Sequence, residues 1–148
     1  MKLNQKDEFE FRIGKSVKQM EPRELLDYIQ LQFKSKFGYD IPVEREREIS
    51  MLKRLKKTYG EDAGNILKWY FGHHGGETLY RDGKSHRFKM SWLASSQKYW
   101  LDELYEEVQE QKMKDRKELR ELLSKKDSKP KSREENYGFA TLDELMGR

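Results

Sequence analysis

The stretch from Tyr59 to Gly76 constrains this chain more than any other. It gathers Ile66, Leu67, Trp69, Tyr70 and Phe71 in a sequence where charged residues (39%) outnumber hydrophobic ones (34%). A chain this polar has apolar side chains for one modest core, and this cluster must lie at its centre. Gly60 opens the segment, and Gly72, Gly75 and Gly76 close it. The spacing predicts a central helix over residues 61–71. Trp69 and Tyr70 are adjacent and cannot face the same way on a helix, so one is expected to pack on the helix before and the other on the helix after. Gly64 lowers helix propensity by about 1 kcal/mol relative to Ala, and a close helix contact would explain its presence.

The flanking sequence predicts further helices. Pro22 suits a first helical turn, and Leu25, Leu26, Tyr28, Ile29, Phe33 and Phe37 recur at helical spacing until Gly38. Pro42 opens the next segment, with Ile49, Leu52, Leu55 and Tyr59 as its apolar stripe. Residues 72–87 read as a glycine-rich loop. Within it Tyr80-Arg81-Asp82-Gly83-Lys84 is a turn signal, and a small hairpin is one way to satisfy it. A last helix is expected from Lys89 to Lys125, with Phe88, Trp92, Tyr99 or Trp100, Leu104 and Val108 as its apolar stripe, widened by Leu101 and Tyr105. Phe9, Phe11 and Ile13 alternate with charged residues and suit a short extended piece, docked as an arm or frayed.

The expected fold class is all-α: a small bundle of three to four helices, a long charged C-terminal helix and a flexible tail. The segments are an N-terminal arm (1–20), a helical core (21–108), a charged helix extension (109–124), a flexible linker (125–136) and a C-terminal docking peptide (137–148). The linker carries no apolar residue at all. Thr141 and Glu144 stand at capping-box spacing, with Phe139, Leu142, Leu145 and Met146 as the apolar contacts of the terminal peptide. So short a helix is unstable alone in water, and it must dock on its own domain or on a partner's groove.

Charge narrows the function. Residues 52–100 carry ten basic and four acidic groups, while the net charge of the whole chain is +4. The cations Lys53, Arg54, Lys56, Lys57, Arg81, Lys84, Arg87 and Lys89 are candidate phosphate contacts, with a merely solvated face as the alternative. Trp92 or Tyr80 would stack on bases if exposed, although core positions suit the aromatics better. The chain has no cysteine, which excludes disulfides and thiolate metal sites. His73 and His74 would diverge on a helix, a loop could bring them together, and His86 is the only further imidazole. No metal or other cofactor is expected. There is no phosphate-binding Gly-x-x-x-x-Gly-Lys-Ser/Thr pattern, no nucleophile elbow and no dinucleotide fingerprint, so no enzyme activity is expected. No stretch has the roughly 18 apolar residues of a membrane span and none reads as a signal peptide. The chain is expected to be soluble and cytoplasmic.

Two resemblances bear on the partner. The terminal Thr-Leu-Asp-Glu-Leu-Met146 resembles the clamp-binding tail of the late-transcription coactivators of T-even phages, although Gly147 and Arg148 run past where that tail stops. The series Lys53-Arg-Leu-Lys-Lys-Thr-Tyr-Gly60, a helix ending in Trp69-Tyr70-Phe71, then Ser91-Trp-Leu-Ala94 is similar to a helical module of phage replication accessory proteins, the replisome organisers and helicase loaders. These resemblances imply a phage-type accessory protein of DNA replication or transcription in the host-cell cytoplasm. DNA and a helicase, RNA polymerase or sliding clamp would be its partners. The alternatives are a coactivator bridging RNA polymerase and a clamp, or an assembly factor without nucleic-acid contact.

Overall fold

A computed structural model of the protein describes residues 3–94 and 97–128. The described chain is mostly helical, with α1 (Glu8–Ile13), α2 (Pro22–Phe37), α3 (Arg45–Tyr59), α4 (Asp62–His73) and α5 (Lys98–Ser128). Short 3-10 turns lie at Val17–Gln19 and Met90–Leu93. The all-α expectation needs one correction. β1 (Glu77–Leu79) and β2 (Ser85–Arg87) form an antiparallel hairpin in which Thr78 opposes His86. The Asp-Gly turn produces it: Asp82 Oδ1 accepts from Lys84 N at 2.9 Å, and Gly83 takes φ +80°.

α4 is the centre of the molecule. Every residue from Ala63 to Phe71 is buried, so the helix meets protein on all sides. Trp69, Tyr70, Phe71, Trp92 and Leu104, the expected core, are all buried. Trp69 and Tyr70 do not go to different helices. Trp69 bonds Glu107 and Tyr70 packs edge-on to Trp100, both on α5, while Tyr70 also meets Phe88 after the hairpin. Trp92 and Phe88 serve the core from the segment before α5. That helix begins at Lys98 rather than Lys89, and a 3-10 turn occupies the expected first turns. α3 likewise starts at Arg45 instead of Pro42, because the backbone at Glu44 is extended and its N–H is taken by the buried Glu48 carboxylate.

Residues 3–20 dock on the core, but through a helix where an extended piece was expected. Asp7 caps α1, accepting from Phe9 N at 3.0 Å and Glu10 N at 2.8 Å, and Glu10 returns a bond to Asp7 N at 2.9 Å. Phe9, Val17 and Met20 enter the core, whereas Phe11 is 70% exposed. A one-sided pattern of that kind fits a helix and not a half-buried strand. Glu10 also accepts from Val17 N at 2.8 Å and pairs with Lys68 of α4 at 2.7 Å. The Lys68 ammonium donates its remaining protons to the Leu3 and Gln5 carbonyls. Asp7 meets Tyr28 Oη at 2.5 Å and Gln32 at 3.3 Å, which ties α1 to α2.

α4 is fastened to α5 at its first turn. Asp62 meets Lys112 at 2.5 Å, Asn65 at 2.9 Å and Gln109 at 2.9 Å. Burial pushes the Asp62 carboxyl up, but these bonds outweigh it and hold the carboxyl below its ordinary value. A carboxylate depressed in the folded state adds stability above its unfolded pKa, and that stability is lost as pH falls through the folded value. Asp62→Asn is therefore expected to lower stability by about 1.5 kcal/mol at neutral pH. Urea denaturation repeated in strong acid should show the gap between wild type and variant closing. A gap independent of pH would mean that the charge contributes nothing.

Residues 113–128 form a unit of their own, the last part of α5. Met113, Leu119, Leu122 and Leu123 are exposed there. The helix runs to Ser128, past residue 125 where the linker was expected to begin. The rest of the linker and the docking peptide, with Phe139, Leu142, Leu145 and Met146, lie outside the described residues. Among the described residues no helix is long and apolar enough to cross a membrane.

Candidate functional site

The cations singled out by sequence separate into groups. On α3, Lys53, Arg54 and Lys57 are exposed, and no ion pair among the described residues engages them. Lys56 is different. It is half-buried and donates to Met20 O at 2.7 Å, so it fastens the N-terminal segment to α3 and is not available to a ligand. The spacing explains the division, because positions 53 and 57 are neighbours on the helix and 56 points toward the buried side.

The remaining cations lie on or beside the hairpin. Arg81 and Lys84 are exposed in its turn. Arg87 on β2 lays its guanidinium 4.6 Å from the centre of the Phe37 ring and donates to Tyr39 Oη at 3.2 Å. Arg87 and Lys89 line a cleft with Tyr39, Pro42, Arg47 and Ser91. A second cleft holds Arg54 with Thr58, Tyr59, Leu93 and Lys98. The two clefts border opposite ends of the Met90–Leu93 turn. Arg87 and Lys89 share one cleft and Arg54 lines the other, whereas Lys53, Lys57, Arg81 and Lys84 line neither. Lys98 joins the set unforeseen, since nothing in its sequence context sets it apart. Trp92 is buried in the core, while Tyr80 is 41% exposed and packs against His86, 4.4 Å between ring centres.

A second constellation forms where α4 ends. His73 is its last residue, and His74 follows with φ −96° and ψ −2°. The imidazoles do not diverge: their centres are 5.0 Å apart with the planes at 85°. His74 still donates its N–H to Tyr70 O at 3.0 Å in helical fashion, so the approach of the rings comes from their side-chain orientations. Glu107 of α5 completes the group, and the three ligand atoms lie within 4.8 Å of one another. Glu107 Oε1 accepts from Trp69 Nε1 at 2.7 Å and lies 2.6 Å from His74 Nε2. His73 stacks on Trp69, ring centres 4.2 Å apart and planes at 11°. Burial pushes the Glu107 carboxyl up, but the bonds from Trp69 and His74 and the neighbouring His73 hold it below its ordinary value, so it is anionic at neutral pH. His86, the third imidazole, is elsewhere and faces Asp82 at 3.3 Å.

Comparison of the chain with known families, with curated proteins and with solved structures gives no match.

Proposed function

We propose that this chain is an accessory protein of the DNA replication or transcription machinery, which holds nucleic acid by its phosphates and binds a second protein through its C-terminal peptide. One observation supports the first part. Lys53, Arg54, Lys57, Arg81, Lys84 and Lys89 are exposed and without an ion-pair partner among the described residues. Some other cations are engaged: Arg45 faces Asp27 at 3.6 Å, Arg47 faces Glu48 at 3.0 Å and Lys15 faces Glu24 at 3.0 Å. Arg12, Lys18, Arg23 and Lys36 are exposed without an ion pair among the described residues as well, so the clustering on α3 and the hairpin carries the reading and the lack of partners does not. Unpaired ammonium and guanidinium groups on α3 and the hairpin suit a polyanion, which gains from every condensed counterion it releases. Contacts of this kind position a backbone and do not read bases. The linker would hold the terminal peptide at high effective concentration beside whatever machinery the core has engaged. The resemblance to phage replication accessory modules favours replication, and the tail favours late transcription with a sliding clamp as partner.

Fluorescence anisotropy of a labelled DNA duplex tests the phosphate contacts. With all six cations engaged, affinity should fall about 10³-fold between 50 and 200 mM salt. The triple reversal Lys53→Glu, Arg54→Glu and Lys57→Glu should remove binding while the circular dichroism spectrum stays unchanged. Lys56 is left out of that set because its bond to Met20 is structural. Affinity that salt and charge reversal leave unmoved would reject the reading. It would favour an assembly factor acting without nucleic acid, for which the exposed Met113, Leu119, Leu122 and Leu123 are the natural contact residues.

A further inference from the structure

We infer that His73, His74 and Glu107 form a zinc site at the end of α4. The ligand set is two imidazole nitrogens and one carboxylate oxygen, a combination that Zn²⁺ accepts with its fourth position open to water. Softer thiolate sites are ruled out by the absence of cysteine. Oxygen-seeking cations such as Mg²⁺ and Ca²⁺ would gain nothing from two imidazoles.

The surroundings favour a cation. The last carbonyls of α4 carry the negative end of its dipole. Glu77 and Glu103 line the cleft that also holds His74 and Glu107. The ligands are held by groups that do not themselves bind metal. Trp69 supplies a face for the His73 ring and a proton for the Glu107 carboxylate, so a single indole orients two of the three. Support of that kind is what fixes ligands in working metal sites.

The distances require only a small closure. Ligand atoms around a tetrahedral zinc with bonds near 2.1 Å stand roughly 3.4 Å apart. The present spread of 4.8 Å closes by rotation of two imidazoles, both of them on the surface. The short contact between His74 Nε2 and Glu107 Oε1, 2.6 Å, would give way to a bond from each atom to the metal. Any proton shared between them leaves as zinc enters. The bound ion would join the end of α4 to α5 through two side chains of one and a single side chain of the other.

Titration of the full-length protein with zinc chloride in a chelator-free buffer, followed by calorimetry, decides the matter. Saturation at one Zn²⁺ per chain is expected, together with a thermal midpoint that rises with zinc. His73→Gln and His74→Ala should each weaken affinity by more than the roughly 10–100-fold that loss of an outer-shell partner costs. The glutamine keeps a planar group against Trp69, so loss of binding cannot be put down to loss of the stack. His86→Ala should bind as the wild type does. Absence of saturable binding would overturn the assignment. Equal affinity in the wild type and in both site variants would do the same.

Discussion

Replacing Lys68 by methionine is expected to destabilise the protein by about 3–5 kcal/mol. The ammonium and the Glu10 carboxylate are both almost fully buried, with side-chain exposures of 3% and 1%. Removal of the cation leaves the carboxylate in an apolar interior with only the Asp7 and Val17 N–H groups for company. The carbonyls of Leu3 and Gln5 lose their donor as well. A surface pair broken in the same way would cost well under 1 kcal/mol, and burial makes the difference. Glu10→Gln should be costly too, since it strands the ammonium. The double variant should cost clearly less than the sum of the two, because two orphaned charges are then replaced by none. Urea denaturation of the four proteins measures each value. A Lys68→Met cost below 1 kcal/mol would mean that water reaches the pair and that residues 1–20 are loosely held.

That pair also marks where the sequence stops being readable. The central helix was legible because Ile66–Phe71 is the densest apolar run in a polar chain, and helices pack where apolar area is available. α2 was legible at both ends, through Pro22 and the left-handed Gly38, whose φ is +81°. α1 was misread as extended because the alternation of Phe9, Phe11 and Ile13 suggested a strand. The competing signal was present in Asp7 and Glu10, a capping pair three residues apart. The Glu10–Lys68 bond lay beyond any such reading. A single lysine in an apolar helix indicates that a partner exists but does not say which of 27 acidic residues supplies it.

The candidate sites divide along the same line. Clusters close in sequence, such as Lys53–Lys57 or the histidine pair, are visible at once. Their meaning depends on packing: Lys56 leaves the set because Met20 happens to pass beside it. Glu107 enters the histidine group because α5 crosses the end of α4 at that level. Local pattern identifies residues of the right chemistry, and tertiary contact chooses among them.

Gly64→Ala is the second large effect, and its sign is opposite to what helix propensity alone gives. Alanine is favoured over glycine inside a helix by about 1 kcal/mol. At this position, however, a Cβ would stand 2.2 Å from the Val17 carbonyl oxygen and 2.5 Å from its carbon. These are backbone atoms of the first 3-10 turn and cannot rotate aside as a flexible side chain would. Either the turn lifts from α4 or α4 shifts within a core that is buried around it. Overpacking of this kind costs about 3 kcal/mol, which exceeds the gain in propensity and leaves a net loss near 2 kcal/mol. Gly64 and Lys68 are one helical turn apart and face the same way, so the glycine admits the Val17 backbone while the lysine binds Glu10. Both residues therefore serve one purpose, the seating of residues 3–20 on the central helix. Gly64→Ala combined with Lys68→Met should cost less than the two added together, since a segment already lifted has less left to lose. Urea denaturation of the single and double variants reads both numbers. A stabilised Gly64→Ala protein would show that the propensity term wins, that the turn does not rest on α4, and that residues 3–20 are frayed, one of the two forms their alternating pattern suggests.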